Sequence, residues 1–256
     1  MQPVIPVSMT IHPESKADTL FNQPLTKVSE FDFDSQVAEV FPDMIQRSVP
    51  GYDVILSTLS QLTSQFSQAQ SHYYDLGCSL GAATLMMRKA ICKPGCRLFA
   101  IDNSKAMLER CQTHVQAYNY ATPVSYLLQD INEVPIENAT IVVLNFTLQF
   151  IPLNKRQQLI NRIYQGLRPG GLLFLSEKLY FGDSVIDDLF INLHHEFKKA
   201  NGYSELEIAQ KRASLENVLV PETYSVHAKR LQEAGFEHHS LWYQNMNFSS
   251  MVAIKG

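Results

Sequence analysis

The chain has no excess of basic residues. Its 21 Lys and Arg stand against 25 Asp and Glu, for a net charge of -4 and a pI of about 6.1. A protein that holds nucleic acid through its phosphates presents a basic surface, so no direct nucleic-acid binding is expected. Long apolar runs are missing too. The longest, Ala139 to Leu153, is interrupted by Asn145, Thr147 and Gln149, too short and too polar to span a bilayer. No basic segment leads into an apolar one at the N-terminus, so no signal peptide is read. The four cysteines (Cys78, Cys92, Cys96, Cys111) lack zinc-ligand spacing, since Cys92-Lys-Pro-Gly-Cys96 has no second pair downstream. No metal is expected, and the absence of a disulfide pattern points to a reducing cytoplasm. His194-His195 cannot share one helix face, which argues against a paired metal site. His238-His239 precede a strand and read as surface residues. Internal repeats, low-complexity runs and Ser-His-Asp or Cys-His-Asp arrangements are all lacking.

What is present suits a packed α/β domain. With 256 residues, 45% hydrophobic and 18% charged, the chain can bury one large core and a modest addition. Residues 1–30 are polar and aperiodic, with Pro3, Pro6, Pro13 and Pro24, and read as a flexible tail. Residues 31–256 read as a single domain. Two helices come first, within 35–66, one with Val37, Val40, Phe41 and Met44 on a face and one with Ile55, Leu59, Leu62 and Phe66. They precede the first strand and are expected to cap the site. Strands then alternate with helices: a strand through Tyr74, Leu98–Ile101, Val124–Leu128, Ala139–Phe146 and Leu172–Ser176. This implies a doubly wound, mostly parallel sheet. Asn154 with Gln157 predicts a capping box for the helix before the fifth strand, and Gly170-Gly171 its end. Residues 183–219 read as a helical insertion over the strand ends. A helix at Val226–Ala234 and an antiparallel pair, Leu241–Gln244 and Phe248–Ile254, close the chain.

The segment Tyr73-Tyr-Asp-Leu-Gly-Cys-Ser-Leu-Gly81 carries the most chemistry. It reads as strand, glycine turn and helix start, which brings main-chain N–H groups to a ligand. The second strand ends in Asp102, an acid placed to hold a ribose diol. The glycine spacing is not Gly-x-Gly-x-x-Gly, which favours S-adenosylmethionine over a dinucleotide. In an open α/β sheet the ligand lies outside the carboxyl ends of the strands. Those ends supply Gly77, Cys78 and Ser79, then Asp102 and Asn103, then Asp130 and Ile131, then Asn145. Asp102 would take the ribose hydroxyls, Asp130 the adenine amino group, with the Ile131 N–H at the ring edge. The Gly77 turn would hold the methionine part, and Asn145 the amino-acid moiety or the sulfonium face. Singly, each Asp or Asn could be a helix cap or turn residue; it is their register at four strand ends that joins them. Tyr52 is either a packing aromatic or a lid contact on the cofactor. Arg212 is either a solvated charge or a bidentate carboxylate clamp.

Three groups of residues add something more specific. They are Val37-Ala-Glu-Val-Phe-Pro-Asp-Met-Ile-Gln-Arg-Ser-Val-Pro-Gly-Tyr52 with the Tyr74–Leu85 motif, Val142-Val-Leu-Asn-Phe-Thr-Leu-Gln-Phe150, and His194–Ile208 with Gln210-Lys-Arg-Ala-Ser-Leu-Glu-Asn-Val218. Together they resemble the carboxy-S-adenosyl-L-methionine synthases, from about residue 28 to the C-terminus. The resemblance implies a class I S-adenosylmethionine methyltransferase-like fold that does not transfer a methyl group. It implies conversion of S-adenosylmethionine and prephenate to carboxy-S-adenosylmethionine and phenylpyruvate. It further implies a homodimer, and a partner tRNA carboxymethyltransferase that uses the product at the wobble uridine. Contacts to the cofactor carry over to Tyr52, Gly77, Cys78, Ser79, Asp102, Asn103, Asp130, Ile131, Asn145 and Arg212. Arg212 is the one assigned a catalytic role, orienting the transferred carboxylate. The competing readings are a methyltransferase, which would yield S-adenosylhomocysteine, and a non-catalytic carrier of the modified cofactor.

Overall fold

The structure, a computed structural model, describes residues 16–256. The tail expected over 1–30 therefore lies partly outside the described residues. Residues 16–30 form no helix or strand but are tied down rather than free. Asp18 is buried and meets the Tyr203 hydroxyl and Lys211, while the Leu25 N–H donates to Gln210 Oε1 at 2.7 Å.

Two helices precede the sheet, α1 (Ser35–Ser48) and α2 (Tyr52–Phe66). Asp34 caps α1 by accepting the Val37 N–H at 2.8 Å, the role expected of a short acidic side chain at that position. The alternating part follows as β1 (His72–Leu76), α3 (Ala82–Ala90), β2 (Arg97–Asp102), α4 (Lys105–Gln116), β3 (Val124–Leu128), β4 (Ala139–Asn145), α5 (Leu153–Gly166) and β5 (Leu167–Lys178). The insertion contains α6 (Ser184–Ala200) and α7 (Glu205–Leu215). The chain ends with α8 (Tyr224–Ala234), β6 (His238–Asn245) and β7 (Phe248–Ile254).

The seven strands order as β3-β2-β1-β4-β5-β7-β6. The first five are parallel; β7 runs antiparallel to β5 and to β6. This is the class I methyltransferase-like α/β fold. Strand β4 (Ala-Thr-Ile-Val-Val-Leu-Asn) is buried at every position but its last, as a central parallel strand covered on both faces must be. Apolar side chains fill both faces. Ile160, Ile163 and Phe236 lie on one side, and Ile55, Leu59 and Met87 on the other. The order reverses between β1 and β4, so a crevice opens at their carboxyl ends.

Two local expectations are corrected. Asn154 and Gln157 form no capping box: α5 starts directly after Pro152, whose fixed φ suits the residue before a first turn. The Gln157 side chain instead donates to Asn161 Oδ1 at 2.9 Å and to the Arg230 carbonyl at 3.1 Å. Nor does Gly170-Gly171 end the helix. That happens at Gly166, where a Cβ would stand 2.1 Å from the Ile136 carbonyl oxygen. Gly170-Gly171 fall inside β5, where its pairing with β4 shifts register. Strand β6 also begins earlier than expected and includes His238-His239.

Buried Arg156 ties the segment after α7 to the exit of β4. It pairs with Glu222 at 2.6 Å and donates to the carbonyls of Gln149 and Val220 at 3.0 and 2.9 Å. Beside it Glu177 is fully enclosed, which pushes its carboxyl up to about 8 against the opposing field of Arg156.

Candidate active site

A cavity of about 750 Å³ opens at the carboxyl ends of the strands, within the range of roughly 300–1,000 Å³ usual for small-ligand sites. Its first wall is the turn after β1. Gly77 holds φ +79°, and a Cβ there would stand 2.5 Å from Thr147 Cγ2. The Gly77 and Cys78 N–H groups both donate to the Ile101 carbonyl at 2.9 Å. The Ser79 N–H donates to Asp102 Oδ2 at 2.8 Å. Ser79 itself sits at φ 48°, a conformation that a side-chain-bearing residue keeps only when its surroundings demand it. Gly77→Ala is expected to cost about 1–3 kcal/mol through this φ and the displaced Thr147. A fall in Tm of roughly 2–10 °C by calorimetry is the check; an unchanged Tm would refute the constraint.

Asp102 closes β2 and is 8% exposed. Its other oxygen accepts the Ser104 N–H at 2.8 Å. Burial raises its carboxyl above the usual range, and the N–H donors from Ser104, Ser79 and Asn103 oppose that shift. Beneath it Asp75 is buried, bonded to Thr84 Oγ1 at 2.6 Å, and burial pushes it up to about 6. Asp130 accepts from the Asn132 N–H and side-chain amide at 2.8 and 2.9 Å. The Tyr52 hydroxyl lies beside the Asn145 amide; its burial raises its pKa. Asn145 Oδ1 is buried with no hydrogen-bond partner among the described residues. An orphaned acceptor on a cavity wall is costly unless a ligand donor meets it.

Nine of the ten sequence-assigned residues, Tyr52 through Asn145, line this one cavity. Arg212 does not: it is exposed on α7 and lies outside the lining. Its charge still acts on Lys178, Lys198 and His195. The sequence reading missed the opposite wall, formed by Lys178, His194, Lys198 and Lys211 with Phe248. A signal was available, because Lys178 ends the fifth strand as Asn145 ends the fourth. The cavity is thus acidic under β1–β3 and cationic under β5 and the insertion.

Similarity to known proteins fits this geometry. A family profile described as methyltransferase domain matches residues 74–171. The carboxy-S-adenosyl-L-methionine synthase of Cronobacter sakazakii is 55% identical over 242 residues, 94% of this chain and 98% of that protein. That of Vibrio vulnificus is 55% identical over 245 residues, 96% of this chain and all of its own. The chain belongs to this family. As a carboxy-S-adenosyl-L-methionine synthase family member it is an enzyme on a methyltransferase-like scaffold. Solved structures agree on the fold. Magnesium protoporphyrin IX methyltransferase from Synechocystis with bound S-adenosylhomocysteine has TM-score 0.58 at 14% identity, covering 83% of this chain and 87% of its own. Human N-acetylserotonin methyltransferase with S-adenosylmethionine has TM-score 0.55 at 19% identity, covering 95% and 64%.

Among the described residues no group of three or more His, Cys, Asp and Glu is placed to hold a metal ion. No helix among them is long and apolar enough to cross a membrane.

Proposed function

We propose that this enzyme converts S-adenosylmethionine and prephenate to carboxy-S-adenosylmethionine, phenylpyruvate and water. The observation that carries the reading is the two-signed cavity of a synthase-family chain. Its acidic half suits a nucleoside bearing a sulfonium, its cationic half an organic anion. Asp102 takes the ribose hydroxyls, Asp130 and the Ile131 N–H the adenine edge, and the Gly77–Ser79 turn the methionine part. Asn145 Oδ1 accepts a donor from the amino-acid moiety or faces the sulfonium, and Tyr52 closes over it.

The chemistry balances without a side-chain base. The sulfonium acidifies its methyl protons. Prephenate aromatises by losing its ring carboxylate as CO2 and its ring hydroxyl as hydroxide. Hydroxide takes one methyl proton to give water, and the resulting ylide carbon attacks CO2 to form the new carboxymethyl group. The protein orients two oppositely charged substrates, excludes water and stabilises the carboxylate that forms. Arg212 provides that last contact, by extending from the cavity rim or across a homodimer. The product then serves a tRNA carboxymethyltransferase acting on the wobble uridine, in the cytoplasm.

Mass spectrometry of the cofactor after incubation with S-adenosylmethionine and prephenate tests the reading. A species heavier by one carboxyl group, formed together with phenylpyruvate and only when prephenate is added, is the expected result. S-adenosylhomocysteine, or unchanged cofactor, would overturn it.

A further inference from the structure

We propose that Lys178 and Lys198 seat the carboxylates of the second, dianionic substrate on the cavity wall opposite the nucleoside turn. This rests on the two-substrate reading above. Lys178 closes β5, two residues past the register partner of Asn145, so it stands next to the strand end assigned to the sulfonium side. Lys198 comes from α6, in the insertion. Both line the cavity.

Lys198 is buried and Lys178 half-buried, and what separates both from structural lysines is the absence of a carboxylate beside them. Lys198 is only 8% exposed, and its ammonium has no hydrogen bond or ion pair with any described residue. The Lys178 ammonium lies 5.8 Å from the centre of the Phe248 ring, and it forms no ion pair with a carboxylate of the described residues. Lys211 shows what compensation looks like in the same corner. Its Nζ lies 3.5 Å from Asp18 and 3.3 Å from Ser48 Oγ, over the Tyr203 ring. Two ammonium groups near each other on a cavity wall, with no carboxylate beside either, are disfavoured until an anion meets them. Burial and neighbouring positive charge accordingly lower Lys198 to about 7 and Lys178 to about 8. Two carboxylates supply the two missing counter-charges at once.

His194 completes the wall as a neutral group. Its Nε2 donates to the Ser48 carbonyl at 2.8 Å, leaving Nδ1 unprotonated, and burial with the adjacent lysines holds its pKa far below the usual value. The apolar stretch Leu215, Val218 and Leu219, also in the lining, offers the hydrocarbon body of the anion a surface to pack on. Such a wall suits the dicarboxylate with a carbocyclic body proposed above as second substrate.

The test uses Lys198→Met and Lys178→Gln, which remove the charge and keep an unbranched side chain, with Lys198→Arg as the charge-keeping control. The readouts are KM for prephenate, Kd for S-adenosylmethionine, and Kd for phenylsuccinate as a non-reacting aromatic dicarboxylate. Each charge-removing variant is expected to raise the prephenate KM and the phenylsuccinate Kd by about tenfold or more. S-adenosylmethionine should bind within about twofold of normal, and Lys198→Arg should recover part of the loss. If the native enzyme turns over and both anion constants stay unchanged in folded variants, the seat is wrong and the proposed reaction stands. If the native enzyme makes no carboxy-cofactor but binds phenylsuccinate through these lysines, the seat stands and the reaction is wrong. Should Lys198→Met fail to fold, Lys178→Gln decides alone.

Discussion

Alanine at Arg212 is expected to cut carboxy-S-adenosylmethionine formation by about 100-fold while S-adenosylmethionine binds within about twofold of its normal affinity. The asymmetry follows from where the charge develops. S-adenosylmethionine carries a methyl group at the reacting carbon and gives a guanidinium there nothing to hold. The transferred carboxylate is anionic, and a planar fork matches it through two parallel hydrogen bonds. Arg212 occupies the helix position next to Lys211. Neighbours on a helix point about 100° apart, so with Lys211 turned into the cavity Arg212 faces away from the lining. From there its charge reaches Lys178 and Lys198. Lysine at 212 keeps the charge and loses the fork, so Arg212→Lys should recover about a tenth of the native rate. Titration calorimetry with S-adenosylmethionine and mass spectrometry of the product separate the two effects. Unchanged product formation in Arg212→Ala sinks the role.

How much of this was legible in the chain depends on the distance over which each contact acts. The parallel strands could be read because local pattern and global fold agree there. Val142, Val143 and Leu144 are apolar in succession and are buried on both faces of the sheet. The wall at the ends of β1–β4 was legible for a related reason: strand ends are local features, and topology alone brings Gly77, Asp102, Asp130 and Asn145 to one cavity. The misreadings have tertiary causes. Gly170-Gly171 resembles a helix stop, but the helix ends sooner, at Gly166, with Leu167 already extended, where close approach to the Ile136 carbonyl leaves no room for a Cβ. Asp18 sits in a polar, aperiodic stretch, and only contacts with distant residues such as Tyr203, 185 residues away, and Lys211 reveal that it is anchored. The cationic wall was missed because each of its lysines, taken singly, reads as a solvated charge. Lys178 comes from a strand, and Lys198 and Lys211 from two helices of an insertion whose packing no local pattern announces.

Asp102→Ala is expected to weaken S-adenosylmethionine binding by about 100-fold, on the basis of about 1.5–3 kcal/mol for a hydrogen bond to a charged group. A carboxylate offers about four acceptor positions. The Ser79 and Ser104 N–H groups take one on each oxygen. The Asn103 N–H draws on the carboxylate as well, and the acceptor capacity left over is what a ribose hydroxyl would use. The Ser79 N–H bond also shapes the turn assigned above to the methionine part, so loss of affinity alone could reflect a collapsed turn. A 2′,3′-dideoxy analogue of the cofactor separates the causes through a double-mutant cycle. If Asp102 grips the ribose, the native enzyme binds the analogue far more weakly than S-adenosylmethionine, and Asp102→Ala binds the two alike. If Asp102 only shapes the turn, the variant loses affinity for both ligands by the same factor, and the ribose must be held elsewhere.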